Sequence, residues 1–260
     1  MNSNDLFLMF KLTGKIEYYL KYKELEAREN DDKESSKIIN ILTKDDGLIG
    51  VIARGTKKVK NNFGGMTTKL TYGIFHLYYK DKGLSTLIDI DVIDGFKHIR
   101  KDINLISYAC YLLELSMQVY RHENNNDIYK LLLDSLKKID EGFDALVISN
   151  ILELKLLDYL GIKPVIDSCV NCGNVDDIVT VSSYRGGYLC KNCVLEERIV
   201  NIKTIKLLRM FYYVDISKIS KLDISDNIKR ELNQFIDDYY DRYSGLYLKS
   251  KEFLKKLMLI

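Results

Sequence analysis

Four cysteines stand in two Cys-x-x-Cys pairs, Cys169-Val-Asn-Cys172 and Cys190-Lys-Asn-Cys193, with 17 residues between the pairs. Thiolates so spaced match the tetrahedral preference of Zn²⁺: each short pair sets two sulfurs on one tight turn, and the spacer lets the second turn face the first. Gly173 supplies the permissive backbone that such a turn needs. Four protein ligands leave no open position for a reactive water, so the expected ion is one structural zinc. Iron binds four thiolates as well. Disulfide exchange fits less well, because thioredoxin-like chemistry uses a single pair at a helix N-terminus. The fifth cysteine, Cys110, stands alone and is expected to be a buried helix residue. This usage suits a reducing cytoplasm better than a disulfide scaffold.

A second constellation is basic. No acidic residue occurs between Asp46 and Asp81, a window that holds Arg54, Lys57, Lys58, Lys60, Lys69, Lys80 and His76. The whole chain carries a formal charge of only +2, so a polyanion would have to meet a local patch. Arg54-Gly-Thr-Lys-Lys-Val-Lys60 leads into Asn61-Asn-Phe-Gly-Gly65, a loop whose cations and N–H groups suit a phosphate backbone. Phe63, Tyr72, Phe75, Tyr78 and Tyr79 offer rings for unpaired bases, although strand alternation turns at most two or three of them outward. The competing reading is a solvated lysine loop on a small barrel with the aromatics in its core. The three histidines, His76, His98 and His122, stand in no catalytic motif. Neither G-x-G-x-x-G nor G-x-x-x-x-G-K occurs, so no dinucleotide or P-loop phosphate site is expected. The expectation is a protein without enzymatic activity or a small-molecule substrate.

The elements that must position these groups change character near residue 95. Before it, Tyr22–Ala27, Ile38–Leu42, Leu48–Ala53, Leu70–Tyr79 and Ser85–Ile93 read as five strands, with turns at Asp45-Asp-Gly47 and Asp81-Lys-Gly83. A small closed barrel would bury one face of each and leave few edges. After Phe96 the apolar period becomes helical. Leu105, Ala109, Leu112 and Ser116, with Ile106, Cys110, Leu113 and Met117 beside them, form a wide apolar face. Helices follow over Ile128–Ile139 and Ala145–Leu160, with Gly161 at a C-cap position and Pro164 beyond it. Further helices are expected near Ile202–Val214 and Ser225–Tyr243, with a short last one. The predicted class is α+β: an OB-like five-stranded β-barrel over residues 21–94, then a mainly α-helical domain over residues 95–260 with a zinc-binding insertion at 167–194. The first twenty residues form an extension without an assigned role. Their apolar run Leu6–Phe10 is too short for a membrane span and lacks a signal-peptide cleavage pattern, so a soluble protein is expected.

The order of these features resembles the bacterial RecO family of DNA-repair proteins. The resemblance runs from about Leu25 to the C-terminus. It rests on Asp46-Gly-Leu-Ile-Gly-Val-Ile-Ala-Arg-Gly55, Tyr111-Leu-Leu-Glu-Leu115, Leu152-Glu-Leu-Lys-Leu-Leu-Asp-Tyr-Leu-Gly161, Cys169-Val-Asn-Cys-Gly173, Gly186-Gly-Tyr-Leu-Cys190 and Leu248-Lys-Ser-Lys-Glu-Phe-Leu254. The segment Arg28–Thr43 is similar to the family's first hairpin, except that Asn30-Asp-Asp32 replaces the usual Tyr-Gly turn. The resemblance implies a cytoplasmic, nucleoid-associated recombination mediator that binds single- and double-stranded DNA and anneals complementary strands. It implies work with RecR to load the RecA recombinase on DNA coated by single-stranded-DNA-binding protein, whose acidic, aromatic-ended tail docks on the helical domain. The candidate DNA contacts are Lys37, Arg54, Lys57, Lys58, Lys60 and Lys69. The alternative is a zinc-stabilised transcription regulator or interaction module. A duplex reader would need a recognition helix beside the zinc, and Asp176, Asp177, Glu196 and Glu197 make that region acidic.

Overall fold

The computed structural model describes residues 3–13, 16–34, 36–54 and 67–257. Contacts divide the chain into two compact units: residues up to Ile41 with Ile49–Asp94, and Leu42–Leu48 with the chain from Gly95 onward.

In the first unit, helices α1 (Ser3–Thr13) and α2 (Ile16–Glu34) pack on each other. The rings of Phe7 and Tyr22 meet at 4.9 Å between centroids. Tyr22–Ala27, expected as the first strand, therefore lies in α2. The reason is local: Lys-Glu-Leu-Glu-Ala is made of strong helix formers, and Lys23 reaches Glu26 at 2.7 Å one turn on. The apolar run at the N-terminus is helical too, with Leu6 buried. Four strands remain, β1 (Lys37–Leu42), β2 (Leu48–Ala53), β3 (Tyr72–Tyr78) and β4 (Ser85–Asp94), in the spatial order β1-β2-β4-β3. Strand β4 runs parallel to β2 and antiparallel to β3. Among the described residues the sheet is four-stranded and open, so the expected five-stranded barrel is corrected to a smaller sheet. One face is apolar: Ile41, Val51, Ala53, Leu87 and Ile90 form its core, flanked by Ile39, Ile49, Phe75 and Leu77, and a register shift in the β3–β4 pairing lets Leu87 and Ile90, three residues apart, share it.

The second unit is mainly helical: α3 (Ile103–His122), α4 (Asp127–Asp140), α5 (Ala145–Tyr159), α6 (Ile202–Tyr213), α7 (Asp226–Tyr243) and α8 (Lys249–Leu257). Helix α5 is its axis, packing against α3, α4, α6 and α7. Asp144 caps it, accepting from the Val147 N–H at 3.1 Å. It stops as the sequence predicts: Gly161 has φ +69°, its N–H reaches Asp158 O at 3.0 Å, and Ile162 N–H reaches Leu157 O at 3.0 Å, the two bonds of a Schellman cap. The periodicity of α3 is right but its buried face is turned. Tyr108, Tyr111, Leu115 and Val119 lie inside with Ala109, Leu112 and Ser116, whereas Leu105, Ile106, Cys110, Leu113 and Met117 are only half-buried. Its partners α5, α4 and α8 choose the face, and they accept tyrosine rings there. Between α5 and α6 the chain forms a two-stranded antiparallel hairpin, β5 (Ile178–Ser182) and β6 (Gly187–Cys190). No described helix is long and apolar enough to cross a membrane.

Candidate functional site

The hairpin β5–β6 brings the four cysteines together. All four Sγ atoms lie within 4.8 Å of one another, and those of Cys172 and Cys190 are 3.6 Å apart. With metal–sulfur bonds of about 2.3 Å, adjacent sulfurs of a tetrahedral site sit about 3.8 Å apart, so the cluster can hold a metal ion. Two turns set the pairs. Gly173, at φ +73°, donates to Cys169 O at 2.8 Å, while the Cys193 N–H donates to Cys190 O at 2.9 Å. The knuckles are tied to the rest of the chain by backbone: Val170 N–H to Tyr188 O at 2.8 Å and Tyr188 N–H to Val165 O at 2.8 Å. Gly187 faces Val165 so closely that a Cβ there would stand 2.1 Å from the Val165 carbonyl oxygen. The Tyr188 hydroxyl, donating to Ile205 O, fastens the hairpin to α6.

Cys169 and Cys190 are buried and Cys172 is exposed. Burial works against a Cys169 thiolate, but N–H donors from Cys190, Cys172 and Asn171 outweigh it and hold that thiol down at about 6. A hydrogen bond with the Cys172 thiol, and then burial, push the Cys193 thiol up to about 12. Crowding works against several thiolates side by side, and a divalent cation would offset that repulsion by replacing thiol protons. The donor set and the closed geometry suit a structural ion.

The basic residues of the first unit are not gathered in this way. Lys37 opens β1 and Arg54 follows β2 directly; both are exposed. Lys69 lies in the turn before β3 and Lys80 just after it, beyond opposite ends of a seven-residue strand about 20 Å long. Lys57, Lys58, Lys60 and Phe63 lie outside the described residues. Of the aromatics, Tyr78 and Tyr79 are exposed at 70% and 59%, whereas Phe75 packs on the sheet core. The acid-free window of the sequence is not acid-free in space. Register places His76 opposite Asp89 and Ile74 opposite Asp91, and the His76 Nε2 sits 2.8 Å from Asp91 Oδ2.

The helical unit holds a polar group that the sequence reading passed over. Glu153, a carboxylate in the apolar run of α5, is fully buried. It accepts from the Tyr111 hydroxyl and lies 3.4 Å from Lys251 Nζ, which also reaches Asp237 at 2.7 Å. Burial raises the Glu153 carboxyl above its ordinary range, partly offset by Lys251. This network fastens α8, whose first turn is further held by Glu114 accepting from the Ser250 N–H at 2.8 Å. Beside α4 and α7 there is also a depression of about 410 Å³, lined by Leu105, Tyr108, Ile139, Phe143 and Leu146. Its cation, Lys229, is bonded to Asp144 at 2.6 Å, with Asp226 at 3.7 Å.

A family model described as "Recombination protein O N terminal" matches residues 28–96, the sheet, and one described as "Recombination protein O C terminal" matches residues 100–252, the helices and the cysteine hairpin. The chain belongs to the RecO family. Among its relatives, a protein named DNA repair protein RecO from Bacillus pumilus is 36% identical over 242 residues, 92% of this chain and 94% of the relative. Its Bacillus subtilis counterpart is 37% identical over 241 residues, 91% of this chain and 94% of the relative. The Listeria innocua protein of the same name is 35% identical over 241 residues, with the same shares. The N-terminal family match begins inside α2, so α1 and most of α2 precede it.

Proposed function

We propose that this protein is a recombination mediator in DNA repair that binds single- and double-stranded DNA, anneals complementary strands coated by single-stranded-DNA-binding protein and, with RecR, helps load RecA. The observation that carries this reading is the matching of both RecO family models, in order, over the sheet and over the helical unit with its cysteine hairpin. The chemistry requires no bond to be made or broken. A cationic surface offsets repulsion between two polyanions and leaves base edges free to pair. No nucleophile or general base is assigned, and the protein is read as a mediator without enzymatic activity.

DNA would run over the first unit, with Lys37, Arg54 and Lys69 at its exposed positions, together with Lys57, Lys58 and Lys60, which lie outside the described residues. Tyr78 and Tyr79 are the rings free to stack on unpaired bases. Zn²⁺ on Cys169, Cys172, Cys190 and Cys193 would cross-link the two knuckles and stabilise the hairpin. The acidic tail of the single-stranded-DNA-binding protein would dock on the helical unit. The depression beside α4 and α7 suits it poorly, because Asp144 and Asp226 already face the Lys229 ammonium.

The test is annealing of complementary strands pre-coated with the cognate single-stranded-DNA-binding protein. Wild type should anneal them quickly, and a variant with Arg54, Lys57, Lys58 and Lys60 changed to Glu should not, while keeping its melting temperature. If about four cations each meet a phosphate, the logarithmic salt slope for a single strand is about −3. A slope near zero removes the basic loop from the interface, and failure of wild type to anneal removes the mediator reading.

A further inference from the structure

The turn of the cysteine hairpin carries an exposed ring that the metal site does not use. Tyr184 stands between β5 and β6 and is 67% exposed. Its ring is faced by two guanidinium groups, Arg242 at 4.9 Å and Arg185 at 5.9 Å from the centroid. The turn is held in place: the Tyr243 hydroxyl donates to Tyr184 O at 3.0 Å, the Arg185 N–H to Ser182 Oγ at 3.2 Å and the Gly186 N–H to Ser182 O at 3.0 Å. Glu197 lies 3.6 Å from Arg185 and offsets its charge, whereas Arg242 makes no ion pair among the described residues. A ring so exposed adds little to hydrophobic burial. Yet the backbone that carries it is fixed by hydrogen bonds, and an unneutralised cation lies beside the ring.

We propose that Tyr184 is a stacking platform for an unpaired base of single-stranded DNA, with Arg242 meeting the neighbouring phosphate. This rests on the DNA-binding reading above and adds a second contact point, on the helical unit. A flat ring offers any base a π-face, and a preorganised turn avoids the ordering cost of a loose one. Arg185, paired with Glu197, orients the ring and leaves the phosphate to Arg242.

The experiment measures fluorescence anisotropy of labelled oligo(dT), and of an abasic strand of equal length, with wild type, Tyr184→Ala, Tyr184→Phe and Tyr184→Leu. On oligo(dT), Tyr184→Ala should bind roughly 5- to 150-fold more weakly than wild type and Tyr184→Phe close to wild type. On the abasic strand the difference between wild type and Tyr184→Ala should vanish. Tyr184→Leu keeps apolar bulk without a flat ring and should behave as Tyr184→Ala, which covers the case in which the alanine variant fails to fold. Equal oligo(dT) binding by wild type and Leu overturns the platform and leaves DNA binding in place. An equal loss on both strands assigns the residue a scaffold role and also overturns it. No oligo(dT) binding by wild type overturns the platform together with the DNA-binding reading. A 5-bromouracil strand cross-linked to wild type should place its adduct on Tyr184; adducts confined to the first unit would count against the proposal.

Discussion

In the cysteine hairpin the groups that matter are near neighbours in sequence. The Cys pairs flank a single β-turn-β excursion, and the turns that aim them are closed by bonds no more than a few residues long. In the N-terminal sheet the charged groups are arranged by pairing between strands. There, β3 from the acid-free window lies against β4, and Asp89 and Asp91 come to face His76 and Ile74. The lesson is that a spacing motif survives folding because its geometry is local. A charge bias along the chain does not survive intact, since a sheet sets beside each residue a partner from elsewhere.

The sharpest test of that contrast is removal of one ligand. Cys190→Ala should empty the site of metal and open the hairpin to hydrogen exchange from Val165 to Val194, leaving β1–β4 protected. Structural zinc is worth about 10 kcal/mol or more in small zinc-finger peptides, so the hairpin should fail first. Unchanged metal content and exchange would show that the cysteines hold nothing.

Lys251→Met asks whether the helical unit rests on a similarly concentrated contact. It leaves Glu153 and Asp237 without their shared cation, and loss of one partner from a buried pair costs about 3–5 kcal/mol. The sign with pH follows from the shifts. Burial alone would lower Lys251, but Glu153 and Asp237 raise it, so the wild-type ammonium stays charged at neutral pH. Burial raises the Glu153 carboxyl, and stability tied to its neutral form is present at low pH and lost as pH rises through the folded value. The deficit of the variant should therefore be greatest at neutral pH and shrink on mild acidification, as read by urea unfolding. A deficit independent of pH would remove Glu153 from the explanation.

Gly187→Ala probes the backbone of the hairpin without touching a ligand. The new Cβ would stand 2.1 Å from the Val165 carbonyl oxygen, and neither strand can yield without breaking the bonds around Tyr188. A loss of about 3 kcal/mol is expected, with metal surrendered to a chelator sooner than in wild type. Wild-type resistance to chelation would mean that the knuckles hold their shape independently of the strand contact.

The smallest effect should come from the sheet. Asp89→Asn together with Asp91→Asn removes two exposed anions from the face that carries Tyr78. Single-strand affinity should rise roughly two- to fivefold, the size expected of exposed charges. Melting should not change. No change in affinity would place the DNA elsewhere than on the β3–β4 face.

The element plan was largely readable. Four of the five expected strands, the helices from Ile103 to Tyr243 and the cap at Gly161 all carry local signals: alternation, a 3.6-residue period and a glycine in left-handed backbone. The misreadings share a cause. Tyr22–Ala27 was short and weakly alternating, so its helix formers and the contact with Phe7 decided its state. The buried face of α3 was set by α4, α5 and α8, whose packing the period of one helix cannot specify. Glu153 had a visible signal, a carboxylate amid leucines, but its partner Lys251 lies almost a hundred residues away.

By itself the sequence determined what depends on neighbours along the chain. That comprises the four clustered cysteines and their turns, the strand and helix periods, the helix stops and the order of features that marks the RecO family. Tertiary structure decided what depends on partners far apart in sequence: the open four-stranded sheet, the acids facing β3, the buried Glu153–Lys251–Asp237 group and the arginines around Tyr184. The reason is physical. Turn geometry and periodicity act over a few residues, whereas burial and charge pairing belong to whichever segments the folded chain brings into contact.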